Sequence, residues 1–171
     1  MQMVKKIFIV LFVIWFGILL FMPKQELYYK LEQELAKEGI KINESQIEES
    51  LFSLTLKNAD LYVKGIKIAT VERVTLLTLL FYSKVELKEL MLDDSLKHMA
   101  PQRIEDALLT YTLLSPVKLS IYAEGSFGTL KGDADLKERK VHLDFVEEKE
   151  IDVIKPMLKK GETGWYYETS F

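Results

Sequence analysis

Cysteine is absent from this chain of 171 residues. That excludes structural disulfides, thiolate zinc sites and thiol catalysis, while selecting no cellular compartment. Histidine is nearly absent. His98 and His142 lie far apart in sequence, and neither has a metal-type partner four residues on. Both stand at polar positions, where a solvated side chain is the ordinary state. The common catalytic motifs are missing too: there is no G-x-S-x-G, no phosphate-binding P-loop and no H-E-x-x-H. Gly125, Gly128 and Gly132 do not fit G-x-G-x-x-G, and they fall within strand-like segments, where bulges or tight bends account for them. The close carboxylate pairs are Asp93-Asp94 and Asp133/Asp135. The second pair shares a strand face with Lys131 and Lys137, the pattern of a water-facing surface. No residue is therefore assigned to catalysis, to a cofactor or to a metal, and the chain is not expected to be an enzyme. Excess positive charge is also lacking. The net charge is -3, and two of the lysines, Lys5 and Lys6, precede the foldable part of the chain, which is more acidic still. An acidic domain argues against a nucleic-acid partner.

Against these absences stands one long apolar run. Ile7, Phe8, Ile9, Val10, Leu11, Phe12, Val13, Ile14, Trp15, Phe16, Ile18, Leu19, Leu20, Phe21 and Met22, interrupted only by Gly17, carry no charge. As a helix rising ~1.5 Å per residue the run spans roughly 24 Å, a little short of the ~30 Å hydrocarbon core of a bilayer. Lys5, Lys6 and Lys24 can snorkel to the headgroups and close the deficit. The Ile, Leu, Val and Phe residues favour insertion by roughly 4 to 8 kcal/mol. A cleaved secretory signal should end in small residues, whereas the exit here reads Leu20-Phe21-Met22-Pro23-Lys24-Gln25. A helix buried in a soluble core is the other alternative, but nothing later in the chain could enclose a helix that is apolar on every face. Residues 1–22 are thus expected to be a cytoplasmic tail and an uncleaved transmembrane signal anchor. Lys5 and Lys6 place the N-terminus in the cytoplasm and the rest of the chain outside it.

Residues 23–39 read as a membrane-proximal amphipathic helix. Pro23 suits a first helical turn, Leu27, Leu31 and Leu35 recur every four residues, and Gly39 supplies a stop. The stripe is expected to cover the start of a sheet, with an interfacial helix lying on lipid as the alternative. From residue 40 to 171 the period changes from 3.6 to 2, the signature of an extracytoplasmic antiparallel domain. Its candidate apolar face comprises Phe52, Leu54, Leu56, Leu61, Val63, Ile66, Ile68, Val117, Leu119, Ile121, Leu130, Leu136, Val141, Leu143 and Phe145. The run from Val74 to Tyr82 is too apolar to alternate and is predicted to pass from strand into one or two helical turns. Val85 and Leu87 are out of phase with Leu90 and Leu92, which a bulge near Lys88-Glu89 would reconcile. Pro101 is predicted to open a helix with Ile104, Ala107, Leu108 and Tyr111 on one face, and a short helix is predicted between Asp152 and Lys160. Trp165-Tyr166-Tyr167 suits a final edge strand. The expected fold is mainly β with helices: an N-terminal transmembrane helix, then a curved antiparallel β-sheet with a few short covering helices.

Several stretches resemble a known family: the anchor ending in FMP, the helix KQELYYKLEQELAKEG, the short strand IKI, then SLTLKNADLYVKG and ERVTLLTLLFYSKVELKEL. The pattern is similar to type II secretion system protein N and the related AsmA-like envelope proteins. The later segment AEGSFGTLKGDADLKERKVHLDF is similar to the Gly-containing β-hairpins of that family, ahead of a helix like DVIKPMLKK. The resemblance implies an inner-membrane anchor followed by a curved sheet in the periplasm. Two functions are expected from it. The first is a non-enzymatic support for a secretion or pilus-type assembly, with sheet edges and apolar face binding envelope proteins. The alternative is a lipid-binding or lipid-transfer module whose apolar β-groove holds phospholipid. In both, the bilayer itself is a partner.

Overall fold

The computed structural model describes residues 2–79, 81–161 and 164–171, without the side chains of Gln2 and Leu19. Leu80, within the apolar run Val74–Tyr82, and the side chain of Leu19 in the anchor stretch lie outside that description. Among the described residues the chain forms two α-helices, α1 (Gln2–Phe21) and α2 (Lys24–Lys37), and one sheet of ten strands. The strands are β1 (Ile40–Glu49), β2 (Ser53–Val63), β3 (Ile66–Leu79), β4 (Tyr82–Leu92), β5 (Arg103–Thr112), β6 (Lys118–Gly125), β7 (Gly128–Asp135), β8 (Lys140–Glu148), β9 (Lys159–Lys160) and β10 (Trp165–Ser170). Their order across the sheet is β1 to β8 in succession, then β10, then β9, and the pairing is antiparallel throughout. A meander of this kind follows from short connections between alternating strands.

Pro23 separates the two helices. It restricts Met22 to extended backbone, which ends α1, and its carbonyl accepts the first bond of α2 from the Leu27 amide at 3.1 Å. Gly39, at φ +78°, ends α2 in the left-handed region open to glycine.

Three expectations are corrected. The segment after Pro101 is strand β5, not a helix. The run from Val74 stays extended to Leu79, and Tyr82 already belongs to β4, so among the described residues no helical turn intervenes. Between Asp152 and Lys160 there is a turn, one 3-10 turn at Lys155–Met157 and the short β9.

The misreading of β5 has a physical source. Along a regular strand, inward residues recur every two positions. In β1 to β5 that phase breaks once, so two consecutive polar residues intervene between inward ones. The doubled residues are Ser45-Gln46, Lys57-Asn58, Glu72-Arg73, Lys88-Glu89 and Glu105-Asp106. In the pairings from β1 to β5 the cross-strand pairs on either side keep register while Ser45, Asn58, Glu72, Glu89 and Glu105 make none; between β5 and β6 the register shifts at the same place, between Ile104 and Asp106. Ile104 and Ala107, the inward residues flanking the break in β5, are therefore three apart, a spacing that imitates a helix face. Asn58 and Glu89 reach the required geometry with left-handed backbone, φ +47° and +51°. The breaks align into a crease across five strands, where the chain bends as bulges bend strands. An Arg103–Glu89 pair, with Nε donating to Oε2 and Nη2 to Oε1, each at 2.9 Å, ties β5 to β4 there. The irregularity expected near Lys88-Glu89 is thus one member of a line.

Two clusters cover the inner face. On the N-terminal side Tyr28 of α2 packs on Leu54 and Leu56, flanked by Ile47, Val74 and Leu76. On the C-terminal side Ile151, only 1% exposed, closes over Ala123, Phe127 and Phe145, with Ile154, Leu158 and Trp165 around it.

Candidate functional site

Cross-strand pairing arranges the inner face into apolar belts. One runs Ile47, Leu56, Val74, Leu87, Ala107, Ala123, Leu130, Phe145 across eight strands. A second runs Leu54, Leu76, Val85, Leu109, Ile121, Gly132, Leu143. At Gly132 a Cβ would stand 2.0 Å from the His142 carbonyl oxygen, so only glycine lets β7 and β8 approach there. The two caps cover the ends of these belts. Between them Val85, Leu87, Leu109, Leu119 and Ile121 stay half-buried, and no described helix lies over them. The result is an apolar face open between the two caps. On its α2 side a cavity of about 150 Å³ opens, lined by Met22, Leu27, Tyr28, Leu31, Leu54 and Leu76 among others.

The attachment of α2 differs from the expected leucine stripe. Leu27 and Leu31 are exposed at the cavity mouth, and Tyr28 is the buried residue. Its hydroxyl donates to Glu44 Oε2 at 2.9 Å. Burial, then that hydrogen bond and the charge of Glu44, hold the phenol well above the usual tyrosine range. Lys24, also buried, pairs with Glu49 at 3.5 Å.

Most of the expected face is on the inner side: Leu54, Leu56, Leu61, Val63, Leu119, Ile121, Leu130, Val141, Leu143 and Phe145 all sit in inward rows. Five residues do not. Ile66 is exposed at the start of β3, and Ile68 falls in a register shift opposite Leu61-Tyr62, so Ala69 and Val71 carry the inner face there. Phe52, Val117 and Leu136 lie in hairpin turns beyond the paired strands. Buried residues outside the expected set include Tyr28 on α2, Ala69, Val71 and Ala123 on strands, and Phe127 and Ile151 in connections, where no alternation exists to reveal them.

The polar candidates have structural partners. Asp135 accepts the backbone amides of Lys137 and Glu138 at 2.9 Å each, which hold its carboxyl below the usual range and fix the β7–β8 turn. Asp133 lies 3.8 Å from Lys118, Asp93 accepts the Ser95 amide, and Asp94 pairs with Lys97. His98 is exposed, and His142 lies beside Asp144 and Glu168 at 3.2 and 3.7 Å. Among the described residues no group of three such side chains is placed to hold a metal ion.

Helix α1 stands apart from both clusters. Ile7 through Ile14, Phe16, Ile18 and Phe21 are exposed around its whole circumference. Among the described residues no helix is long and apolar enough to cross a membrane. Lys5 and Lys6 fall inside α1, and its uncharged part from Ile7 to Phe21 rises roughly 22 Å at ~1.5 Å per residue. One of its tertiary contacts is aromatic: Trp15 stacks on Phe81, between β3 and β4, with centroids 6.4 Å apart, and Leu20 lines a cavity with Leu51, Phe52 and Leu77.

Compared with known protein families, characterised proteins and solved structures, the chain matches none.

Proposed function

We propose that the chain is a single-pass inner-membrane protein, cytoplasmic at its N-terminus, whose periplasmic sheet works by binding and not by catalysis. The observation that carries this reading is an apolar helix exposed over most of its surface, together with an apolar sheet face whose centre no described helix covers. Apolar surface on that scale is tolerated where lipid or a partner covers it. The short uncharged shaft of α1 is matched to a bilayer by Met22, by snorkelling of Lys5 and Lys6, and by local thinning. The resemblance to type II secretion system protein N and AsmA-like proteins points the same way. Resistance of the full-length protein to carbonate extraction is the expected result, and release into the wash would sink the anchor.

The occupant favoured for the open face is a phospholipid acyl chain, as in an AsmA-like lipid-binding or transfer module. It would enter between Leu27, Leu31 and Leu76 and lie along Val85, Leu87 and Leu109. Protein purified in mild detergent should carry phospholipid detectable by native mass spectrometry. A Leu87→Asp/Leu109→Asp double variant should lose it while retaining β-sheet circular dichroism. Wild-type protein that purifies free of lipid removes this reading.

A second reading, support of a secretion or pilus-type assembly, draws on the edge strand β1. Among the described residues it pairs only with β2, leaving a ten-residue edge open to a strand from another protein. Photo-crosslinkers at Asn43 and Gln46 should trap an envelope component in intact cells. Recovery of uncrosslinked protein alone would count against it.

A further inference from the structure

In a meander, alternate turns fall at the same end of the sheet. The β1–β2, β3–β4, β5–β6 and β7–β8 turns share one end, and β10 finishes there too. That end is laced together by backbone bonds: Thr78 to Phe52 at 3.1 Å, Leu113 to Phe81 at 3.0 Å, Leu136 to Val117 at 2.7 Å and Phe171 to Arg139 at 3.0 Å. Each of the four turns carries an exposed apolar side chain, namely Leu51, Phe81, Leu114 and Leu136, and Leu114 is 97% exposed. Phe171 adds a fifth.

The opposite end also exposes apolar residues, Ile66, Met91 and Met99, with Val153 and Met157 in the connection that leaves it, but not one at every turn: the β6–β7 turn buries Phe127. Lys64, Asp93, Asp94, Lys97 and His98 are interspersed there, whereas charge at the first end is concentrated in Lys137, Glu138 and Arg139 of the last turn. Turns normally favour Gly, Asn, Asp and Ser for conformational reasons, so large apolar residues at four successive tips need another cause.

The position of α1 supplies it. Trp15 lies in the middle of the helix, and it is this residue that stacks on Phe81. Phe8, Leu11 and Phe12 line the same cleft with Phe81. The β3–β4 tip is therefore level with the shaft of α1, not below its end, and an environment that takes up the shaft takes up Phe81 with it.

We infer that this end of the sheet is a lipid-contacting rim, which inserts its apolar turn residues into the bilayer surface around α1. The choice of lipid as the occupant rests on the proposed reading of α1 as a membrane helix. Phe81, level with Trp15, would reach ~9 Å deeper than the Phe21 end of α1 at ~1.5 Å per residue, the deep limit of interfacial insertion, and Lys137, Glu138 and Arg139 of the last turn follow Leu136. The rim would hold the sheet upright on the membrane with β1 to β8 all touching it through their turns.

The absence of native cysteine makes the test direct. Single substitutions Leu51→Cys, Leu114→Cys and Leu136→Cys, with Lys64→Cys and Asp94→Cys at the far end, are labelled with an environment-sensitive fluorophore. The full chain is reconstituted into vesicles of phosphatidylethanolamine and phosphatidylglycerol containing spin-labelled lipid. The expected result is a blue shift and loss of emission at the three turn sites, with neither change at Lys64→Cys and Asp94→Cys. Carbonate-resistant protein whose turn probes stay unquenched overturns the rim and leaves the anchor intact. Protein that washes off, yet whose turn probes are quenched when vesicles are added, keeps the rim and overturns the anchor. Protein that washes off unquenched overturns both.

Discussion

The two caps on the apolar face are built in contrasting ways. At the C-terminal side, Ile151 closes over Phe127 and Phe145, whose rings meet edge to face at 6.3 Å and 86°, and the cluster is part of the sheet's own core. At the N-terminal side, α2 is held by one aromatic ring, one hydrogen bond to Glu44 and the Lys24–Glu49 pair. One cap is structural, and the other is a latch beside the cavity and next to the helix proposed as anchor. The difference predicts where the molecule adjusts: α2 is expected to loosen while the sheet persists, as elements with few buried apolar contacts do.

Substitutions at each cap can break or sharpen that contrast. Phe145→Ala should cost about 3–5 kcal/mol and lower the midpoint of global urea unfolding. If the midpoint does not move, the C-terminal cluster is not the core. Tyr28→Ala should cost roughly 1.5–3 kcal/mol, felt locally as faster amide exchange and proteolysis in residues 24–37 with β-sheet exchange unchanged. Equal acceleration in β2 to β8 would show that α2 is no separate latch.

Tyr28→Phe should cost about 1 kcal/mol through the lost hydrogen bond and the stranded Glu44 carboxylate. It also isolates a pH effect. The folded-state phenol titrates above its unfolded value of 10.0, so its contribution is complete below pH 10 and is lost as pH rises beyond that towards the folded value. Docking of α2 in the parent protein should therefore weaken above pH 10, and the Tyr28→Phe variant should lack that component. Identical alkaline profiles for the two proteins would refute the assignment. Smallest of all, Arg103→Ala should cost roughly 0.5–1 kcal/mol, as expected of a bidentate but solvent-exposed pair. It should act at the crease between the caps without changing exchange at either one.

Much of this architecture could be read from residue order. The α2 boundaries follow from Pro23 and Gly39, and the inward residues Leu54, Leu56, Leu119, Ile121, Leu143 and Phe145 follow from alternation. What misled was local ambiguity. Ile104 and Ala107 are three apart both in a helix face and in a strand that crosses a crease, and no property of that segment alone distinguishes the two. The leucines of α2 suggested a buried stripe, yet Tyr28 is the residue enclosed, because its hydroxyl finds Glu44 on a strand sixteen positions away.

Local tendencies are written in the order of residues: an apolar run from Ile7 to Met22, alternation beyond Gly39, and doubled polar residues where alternation slips. Each of these depends on neighbours within a few positions, where backbone geometry and side-chain polarity act directly. That five such slips fall on one line, that the centre of the apolar face stays open, and that Leu51, Phe81, Leu114 and Leu136 share one end of the sheet emerge only when the strands pair. Those facts depend on strand register, set by hydrogen bonds between residues far apart in the chain, and no local pattern encodes which partner a strand will meet.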